Sequence, residues 1–138
     1  MNNRLTVHIY SFGYRVSGIP ADDTDNNGGF VFDCRFLPNP GREEKYRSLT
    51  GKDTEVIEYF SKHEIVDRFL EYMYKIIDMA VENYQSRQFT DLTISFGCTG
   101  GQHRSVYCAE KCAAYLRSKN IHVEVHHAEF PHLDENQE

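Results

Sequence analysis

LTISFGCTGGQHRS, residues 92–105, is the stretch that decides the fold. Its first part alternates apolar and small polar residues, which predicts a strand that ends at Gly97. Gly100 and Gly101 follow within four residues, and a helical pattern begins near Gln102. The order of strand, glycine loop and helix start is typical of an anion site, because the loop and first-turn amides lack helical acceptors and the helix dipole favours negative charge.

This loop therefore predicts a site for a phosphoryl group. Glycines let a ligand approach the backbone closely, and Arg104 offers a planar pair of donors that suits phosphate. An ordinary strand-to-helix junction is the alternative, although adjacent glycines beside a cysteine, a histidine and an arginine favour the site. The predicted phosphate-binding residues are Thr99, Gly100, Gly101, His103, Arg104 and Ser105.

Length, charge and cysteine content exclude several classes of protein. A chain of 138 residues is long enough for one domain with its own core. Its net charge of −6 gives no general attraction to nucleic acid or to anionic membranes. We find no stretch that could span a membrane and no signal peptide at the start. The four cysteines form no CxxC pair, which favours reduced thiols and a cytoplasmic location.

The order of the predicted elements indicates an α/β fold, a single layered domain with a mostly parallel sheet of about four strands flanked by helices. The nearly continuous apolar run at 29–36 predicts a strand that is covered on both faces. Ser61 and Glu64 have the spacing of a capping box ahead of a long helix. The domain is expected to span residues 1–128, followed by an acidic, flexible tail at 129–138.

Candidate ligand residues follow the ends of three predicted strands. Ligands bind beyond the carboxyl ends of parallel strands, so one cleft is expected to collect all three segments. Asp33 and Arg35 either face a ligand or pair with each other, and Asn39, held between two prolines, either presents its amide or simply forms a turn. The predicted ligand-binding residues are Ser11, Phe12, Gly13, Asp33, Arg35, Asn39 and Cys98.

Histidines on the first and last predicted strands give only a weak sign of metal binding. His122 and His126 share the polar face of the last predicted strand with Glu124. His8 is interpreted as an ordinary strand residue on the less apolar face of the first strand. The sequence therefore predicts neither a metal site nor a cofactor.

The loop resembles the phosphate loop of cysteine-dependent protein tyrosine phosphatases, because residues 98–105 fit the pattern C-x2-G-x2-R-S. That resemblance implies that Cys98 is a thiolate nucleophile and that Arg104 holds the phosphoryl oxygens, with Asp33 as the general acid. Gly97 stands where those phosphatases usually have histidine.

A longer set of motifs resembles the C-terminal domain of the RapZ family, the bacterial RNase adapter proteins. The motifs run in order as SFG at 11–13, VFDCRFLPNP at 31–40, TG at 50–51 and GCTGGQHRSVYCAE at 97–110. The resemblance implies an α/β domain that binds glucosamine-6-phosphate and self-associates. In full-length members it also implies contact with small regulatory RNA and an endoribonuclease.

Three departures from that family limit what the resemblance implies. The sequence contains no GxxxxGK[ST], so the family's nucleotide-binding label is not carried over. Its last residues are acidic rather than rich in Lys and Arg, and Gln102 replaces a frequent lysine. We therefore predict a homo-oligomeric, non-enzymatic binding or sensor module for a phosphorylated sugar. The alternatives are a Cys98-dependent phosphatase and an adapter that binds RNA or an RNase.

Overall fold

The computed structural model describes residues 4–24 and 28–134 and contains a four-stranded, all-parallel sheet. The strand order is β2-β3-β1-β4, so β2 and β4 form the edges. This arrangement confirms the predicted α/β class. The strands are β1 Thr6–Gly13, β2 Gly29–Asp33, β3 Asp91–Cys98 and β4 His122–His127.

Three α-helices and three short 3-10 turns connect or follow the strands. The helices are α1 Thr54–Ser61, α2 Glu64–Ser86 and α3 Arg104–Ser118. The 3-10 turns are Pro40–Arg42, Glu44–Tyr46 and Pro131–Leu133. None of the helices in the described residues combines the length and apolarity that a membrane crossing requires.

The three helices pack on one face of the sheet. Alternate strand residues such as Ile9 and Ile94 are fully buried and share one core with the inward side chains of the helices. The rings of Phe32 and Phe96 stack across β2 and β3 with centroids 5.4 Å apart, and Phe69 of α2 meets Phe32 edge-on at 6.0 Å. The opposite face of β1 and β4 carries the polar residues of the alternating pattern.

The second strand differs from its prediction. β2 ends at Asp33 and lies at the edge of the sheet, where its residues alternate between half-buried and exposed. Val31 is 48% exposed and Phe36, which lies beyond the strand, is 58% exposed. The prediction that this run is a strand covered on both faces was wrong, because only Phe30 and Phe32 turn towards the core.

The predicted capping box is also wrong. Ser61 is the last residue of α1, and its hydroxyl donates to the carbonyl oxygen of Glu58 at 2.7 Å. His63 occupies the N-cap position of α2 and makes no side-chain capping bond. The two helices therefore meet at a tight junction, and α2 starts without help from Ser61.

The segment after β4 is attached to the domain as far as it is described. The carboxylate of Glu129 accepts from the amide of Gly13 at 2.9 Å, and Asp134 accepts from the amide of His127 at 2.6 Å. Residues 129–134 therefore make hydrogen bonds with the domain. The rest of that predicted tail, residues 135–138, lies outside the described residues.

Candidate functional site

A cavity of about 260 Å³ lies where β3 ends and α3 begins, and we call it the loop cavity. One wall is the glycine loop with the first residue of α3. The other wall is the segment after β2, including the first 3-10 turn and Arg47. The lining residues are Asn39, Gly41, Arg47, Cys98, Thr99, Gly100, Gln102, His103 and Arg104.

The backbone of the glycine loop offers an unbroken run of free donors. Within the described part of the chain, the six amides from Thr99 to Arg104 donate to no protein acceptor. The carbonyls of the same loop are used, since Arg15 donates to Thr99 and Gly51 to Gln102. A 15-residue helix begins at this point, and its dipole adds positive potential. The loop therefore has the donor arrangement that an anion requires.

Arg104 is 6% exposed and directs its guanidinium into the loop cavity. Its Nη1 donates to the carbonyl oxygens of Arg35 at 2.6 Å and Leu37 at 3.2 Å. Its Nε and Nη2 donate to no acceptor among the described residues. One nitrogen thus anchors the side chain, and the other two remain available to a ligand.

Two side chains of the loop hold the facing wall in place. The amide nitrogen of Gln102 donates to the carbonyl oxygens of Arg47 and Leu49, both at 2.7 Å. Nε2 of His103 donates to the carbonyl oxygen of Tyr46 at 2.8 Å. Burial lowers the pKa of His103, so its ring is neutral at pH 7 and supplies no charge to an anion.

Glycines let neighbouring backbone segments touch behind the loop cavity. Gly101 has a φ of +73°, and a Cβ there would lie 2.6 Å from the amide nitrogen of Gly13. A Cβ at Gly51 would lie 2.4 Å from the amide nitrogen of Tyr107 in the first turn of α3. Gly13 therefore supports the loop from behind and does not line the cavity.

Cys98 lines the loop cavity, whereas Ser105 lies beneath it. The thiol of Cys98 donates to the hydroxyl of Ser105 at 3.2 Å and accepts from the amide of Ser105 at 3.4 Å. Ser105 is fully buried. Its hydroxyl is thus committed to the thiol.

Of the three ligand residues predicted at and after the end of β2, one lines the loop cavity and two do not. Asn39 lines the loop cavity, and its side-chain oxygen accepts from the amide of Gly41 at 2.9 Å. The NH₂ group of Asn39 is not used in this bond. Asp33 and Arg35 pair with each other in a bidentate contact whose shortest distance is 2.7 Å. The hydrogen bonds from Arg35 lower the pKa of Asp33. Neither of these charged side chains lines the cavity.

Ser11 and Phe12 lie inside the domain, because β1 continues through Gly13 where a loop was predicted. The hydroxyl of Ser11 bonds to Nδ1 of His127 at 2.6 Å, and Nε2 of that ring bonds to Glu110 at 2.7 Å. Phe12 is fully buried. The structure thus brings the predicted phosphate loop together with Asn39 and leaves Ser11 and Phe12 apart from the cavity.

Sequence analysis did not select Gly41, Arg47 or Gln102 as site residues. Arg47 is held by the carbonyl oxygens of Gly41 at 3.1 Å and Arg42 at 3.4 Å. Gly41 and Arg47 belong to a charged segment that looks like ordinary surface in the sequence, whereas Gln102 lies within the glycine loop itself. The only signal was the excess of basic side chains at positions 42, 45 and 47, and glutamates between them hid it.

Comparison with known proteins gives one family and several relatives. A family profile described as the RapZ C-terminal domain matches residues 5–131. A "nucleotide-binding protein" of Pseudothermotoga lettingae is 43% identical over 124 residues, which cover 90% of this chain and 42% of that protein. A protein of the same name from Bifidobacterium adolescentis is 46% identical over 121 residues, 88% of this chain and 37% of the relative. The chain thus spans about two fifths of the length of these relatives.

Proposed function

This chain belongs to the RapZ C-terminal domain family, and from that premise we propose that its loop cavity binds a phosphorylated amino sugar of the glucosamine-6-phosphate type. The domain would then act as a cytoplasmic binding or sensor module. The observation that carries the proposal is a cavity of about 260 Å³ lined by five residues with free amides, together with the two nitrogens of Arg104 that have no acceptor among the described residues.

The phosphoryl group is assigned to the glycine loop. The amides of Thr99 and Gly100 and the free nitrogens of Arg104 are the donors, with the start of α3 as a further source of positive potential. Gly101 does not line the cavity and serves the turn through its φ of +73°. His103 holds the facing wall through its bond to the carbonyl oxygen of Tyr46 and contributes no charge, since its ring is neutral. Ser105 acts indirectly, because its hydroxyl accepts from the thiol of Cys98 and so holds that cavity-lining residue in place.

The sugar is assigned to the wall that follows β2. The NH₂ group of Asn39 is a donor for a hydroxyl, and Arg47 lies beside it. Asp33 suits the ammonium group of an amino sugar, provided that the ligand opens its pair with Arg35. Both side chains of that pair are 47% exposed, so solvent screens their attraction and a ligand can open the pair at little cost.

A calorimetric titration with glucosamine-6-phosphate tests this proposal. We expect saturable binding by the wild-type chain and a loss of at least roughly a hundredfold in Arg104→Ala, because both free charged donors disappear. Arg87→Ala is the matched control, since Arg87 caps the far end of α2 and contacts Phe89. Equal heats from wild type and Arg104→Ala would contradict the proposal, and unphosphorylated glucosamine should bind to neither.

A Cys98-dependent phosphatase is the second candidate, because Cys98 lines the cavity with Arg104 as that chemistry requires. The lowered pKa of Asp33 argues against the phosphatase, since a general acid must hold a proton and the hydrogen bonds from Arg35 favour the ionised carboxylate. Turnover of an aryl phosphate that Cys98→Ser abolishes would favour the enzyme. Binding of phosphate without turnover would favour the sensor.

Self-association and an adapter role belong to the same proposal. Exposed apolar side chains on one side of α2, among them Tyr72 at 60% and Met79 at 72%, support contact with a second copy. The net charge of −6 argues against RNA binding by this chain alone. Sedimentation of the free chain and of its mixture with RNA at two salt concentrations separates these possibilities.

A further inference from the structure

The polar face of the sheet carries a cluster that the loop cavity does not use. His8 of β1 lies directly opposite Glu124 of the parallel strand β4, and His126 follows two residues later on the same face. One ligand atom from each of these three residues lies within 4.8 Å of the others. All three side chains are partly exposed, at 18%, 36% and 33%. We call them the β1–β4 cluster.

His8 is oriented towards Glu124 by a second carboxylate. Its Nε2 lies 2.7 Å from Oδ1 of Asp91, and its Nδ1 lies 3.8 Å from Oε1 of Glu124. An ionised carboxylate only accepts, so Nε2 of His8 donates to Asp91. The other ring nitrogen, Nδ1, faces Glu124. A carboxylate that fixes the tautomer of a histidine in this way is the usual support of a metal-binding imidazole.

His126 approaches the same oxygen from its own strand. Its Nε2 lies 3.8 Å from Oε1 of Glu124, while its Nδ1 lies 3.8 Å from Oδ2 of Asp134. The ring also packs on Tyr10 with centroids 5.0 Å apart, which limits its rotation. Two imidazoles thus converge on one carboxylate oxygen, and each has another carboxylate on its far side.

Among the described residues, only histidines lie close to the carboxylate of Glu124. Its ion-pair partners in the described residues are His8, His126 and His122, and no Lys or Arg nitrogen among those residues comes within 4.0 Å of it. His122 meets the other oxygen, Oε2, at 3.9 Å. A carboxylate oxygen between two imidazole nitrogens offers the mixed nitrogen and oxygen donor set that a divalent cation of the zinc type binds.

We propose that the β1–β4 cluster binds a zinc-type divalent cation through Nδ1 of His8, Oε1 of Glu124 and Nε2 of His126. Two imidazoles and one carboxylate are a common zinc ligand set, with water in the fourth position. Tetrahedral ligands at zinc lie about 3.3 Å apart. The two observed nitrogen–oxygen separations of 3.8 Å therefore need to contract by about half an ångström. The two nitrogens, which lie within 4.8 Å of each other, need to approach by up to about 1.5 Å through rotation of the imidazole rings.

Titration of the whole chain with zinc chloride tests this site, with Glu124→Gln and His126→Gln as the variants that remove a ligand. His132→Gln is the matched control, since His132 is exposed and outside the cluster. We expect one equivalent to bind to wild type and to the control, and an affinity loss beyond roughly a hundredfold in the two ligand variants. Asp91→Asn should cost roughly 10- to 100-fold as a positioning change.

Two results would overturn the proposal. One is a wild-type chain that takes up no zinc, and the other is equal binding by all variants, which would place the ion on other donors. NMR of the histidine ring nitrogens needs only the wild-type chain, so it does not depend on whether the variants fold. On addition of zinc the signals of His8 and His126 should shift, and that of His132 should not. Cobalt spectra without a sulfur charge-transfer band would exclude binding by the thiols. These outcomes leave the sugar-phosphate proposal unaffected, because the cluster and the loop cavity share no residue.

Discussion

Nη1 of Arg104 donates to the main-chain oxygen of Arg35 at 2.6 Å, which ties the first residue of α3 to the segment that follows β2. The same nitrogen also reaches the carbonyl oxygen of Leu37 at 3.2 Å. One side chain thereby joins the two walls of the loop cavity, while its other two nitrogens have no acceptor among the described residues. Arginine is required for this arrangement because its donors point in several fixed directions.

Arg104→Lys is therefore expected to impair both stability and binding. A single ammonium does not serve two carbonyls and a ligand together, so we expect the unfolding free energy to fall by about 1.5–3 kcal/mol and phosphate affinity to fall at least roughly tenfold. Urea denaturation and calorimetry measure the two effects. Arg87→Lys, far from the cavity, controls for the exchange of residue type. Unchanged affinity in Arg104→Lys would mean that the guanidinium does not contact the phosphate.

Asp33 gives a separate test of what the sugar contributes. If its carboxylate meets the ammonium group, the wild-type chain should prefer glucosamine-6-phosphate to glucose-6-phosphate by roughly tenfold, the usual effect of one charged hydrogen bond. Asp33→Asn should remove that preference and leave the affinity for inorganic phosphate unchanged. Competition binding with the three ligands measures it. A preference that survives in Asp33→Asn would assign the amino group to another residue.

Gly51→Ala should destabilise the first turn of α3. A Cβ at this position would lie 2.4 Å from the amide nitrogen of Tyr107 and 2.5 Å from the carbonyl oxygen of His103, both of which are backbone atoms. We expect a loss of about 1–3 kcal/mol in the unfolding free energy. Gly100→Ala is the matched control, because no atom lies within 4 Å of its added methyl group, and its effect should stay within about 0.5 kcal/mol. Denaturant titration of the two variants compares them directly.

His103 predicts a dependence of stability on pH. Burial lowers the pKa of its ring in the folded state, whereas in the unfolded chain the pKa is about 6.5. Below about pH 6.5 His103 binds a proton in the unfolded chain but not in the folded one. The unfolding free energy therefore falls with falling pH until the folded-state pKa is reached. The slope contributed by this residue is at most about 1.4 kcal/mol per pH unit.

The difference between wild type and His103→Gln isolates that contribution. Urea midpoints measured between pH 5 and pH 8 should depend less on pH in the variant, because glutamine does not titrate. Asp33 and Glu129, whose pKa values are lowered, affect stability only at more acidic pH. Parallel curves for the two proteins would mean that His103 takes up its proton equally in both states.

The fold was predictable where local pattern and topology agree. Strict alternation in β1 and β4 and the helical spacing of α2 gave the right elements, and the α/β order gave the parallel sheet. The exposure of β2 was not predictable, because an apolar run has the same appearance at an edge as in the middle of a sheet. Ser61 illustrates a second limit, since its hydroxyl bonds back to Glu58 and continues one helix instead of capping the next.

The candidate site was predictable on one side only. The adjacent glycines and the residue types around Arg104 predict an anion site from the sequence alone, and the loop cavity forms at these residues. The opposite wall depends on contacts between distant residues, such as Gln102 with Leu49, which no local pattern reveals. Ser11 was misplaced for a related reason, because its buried partner His127 is 116 residues away.

The anchors of the loop cavity end on main-chain oxygens, which every residue type provides. Arg104, Gln102 and His103 each bond to carbonyls of the facing wall and to none of its side chains. Substitutions along that wall can therefore alter what a ligand meets while the frame keeps its shape. A saturation library over the exposed positions 42–45 and 48, selected against different sugar phosphates, would reveal new preferences at little cost in folding, because it leaves out Tyr46 and Leu49, which pack against the core, and Arg47, which holds the wall.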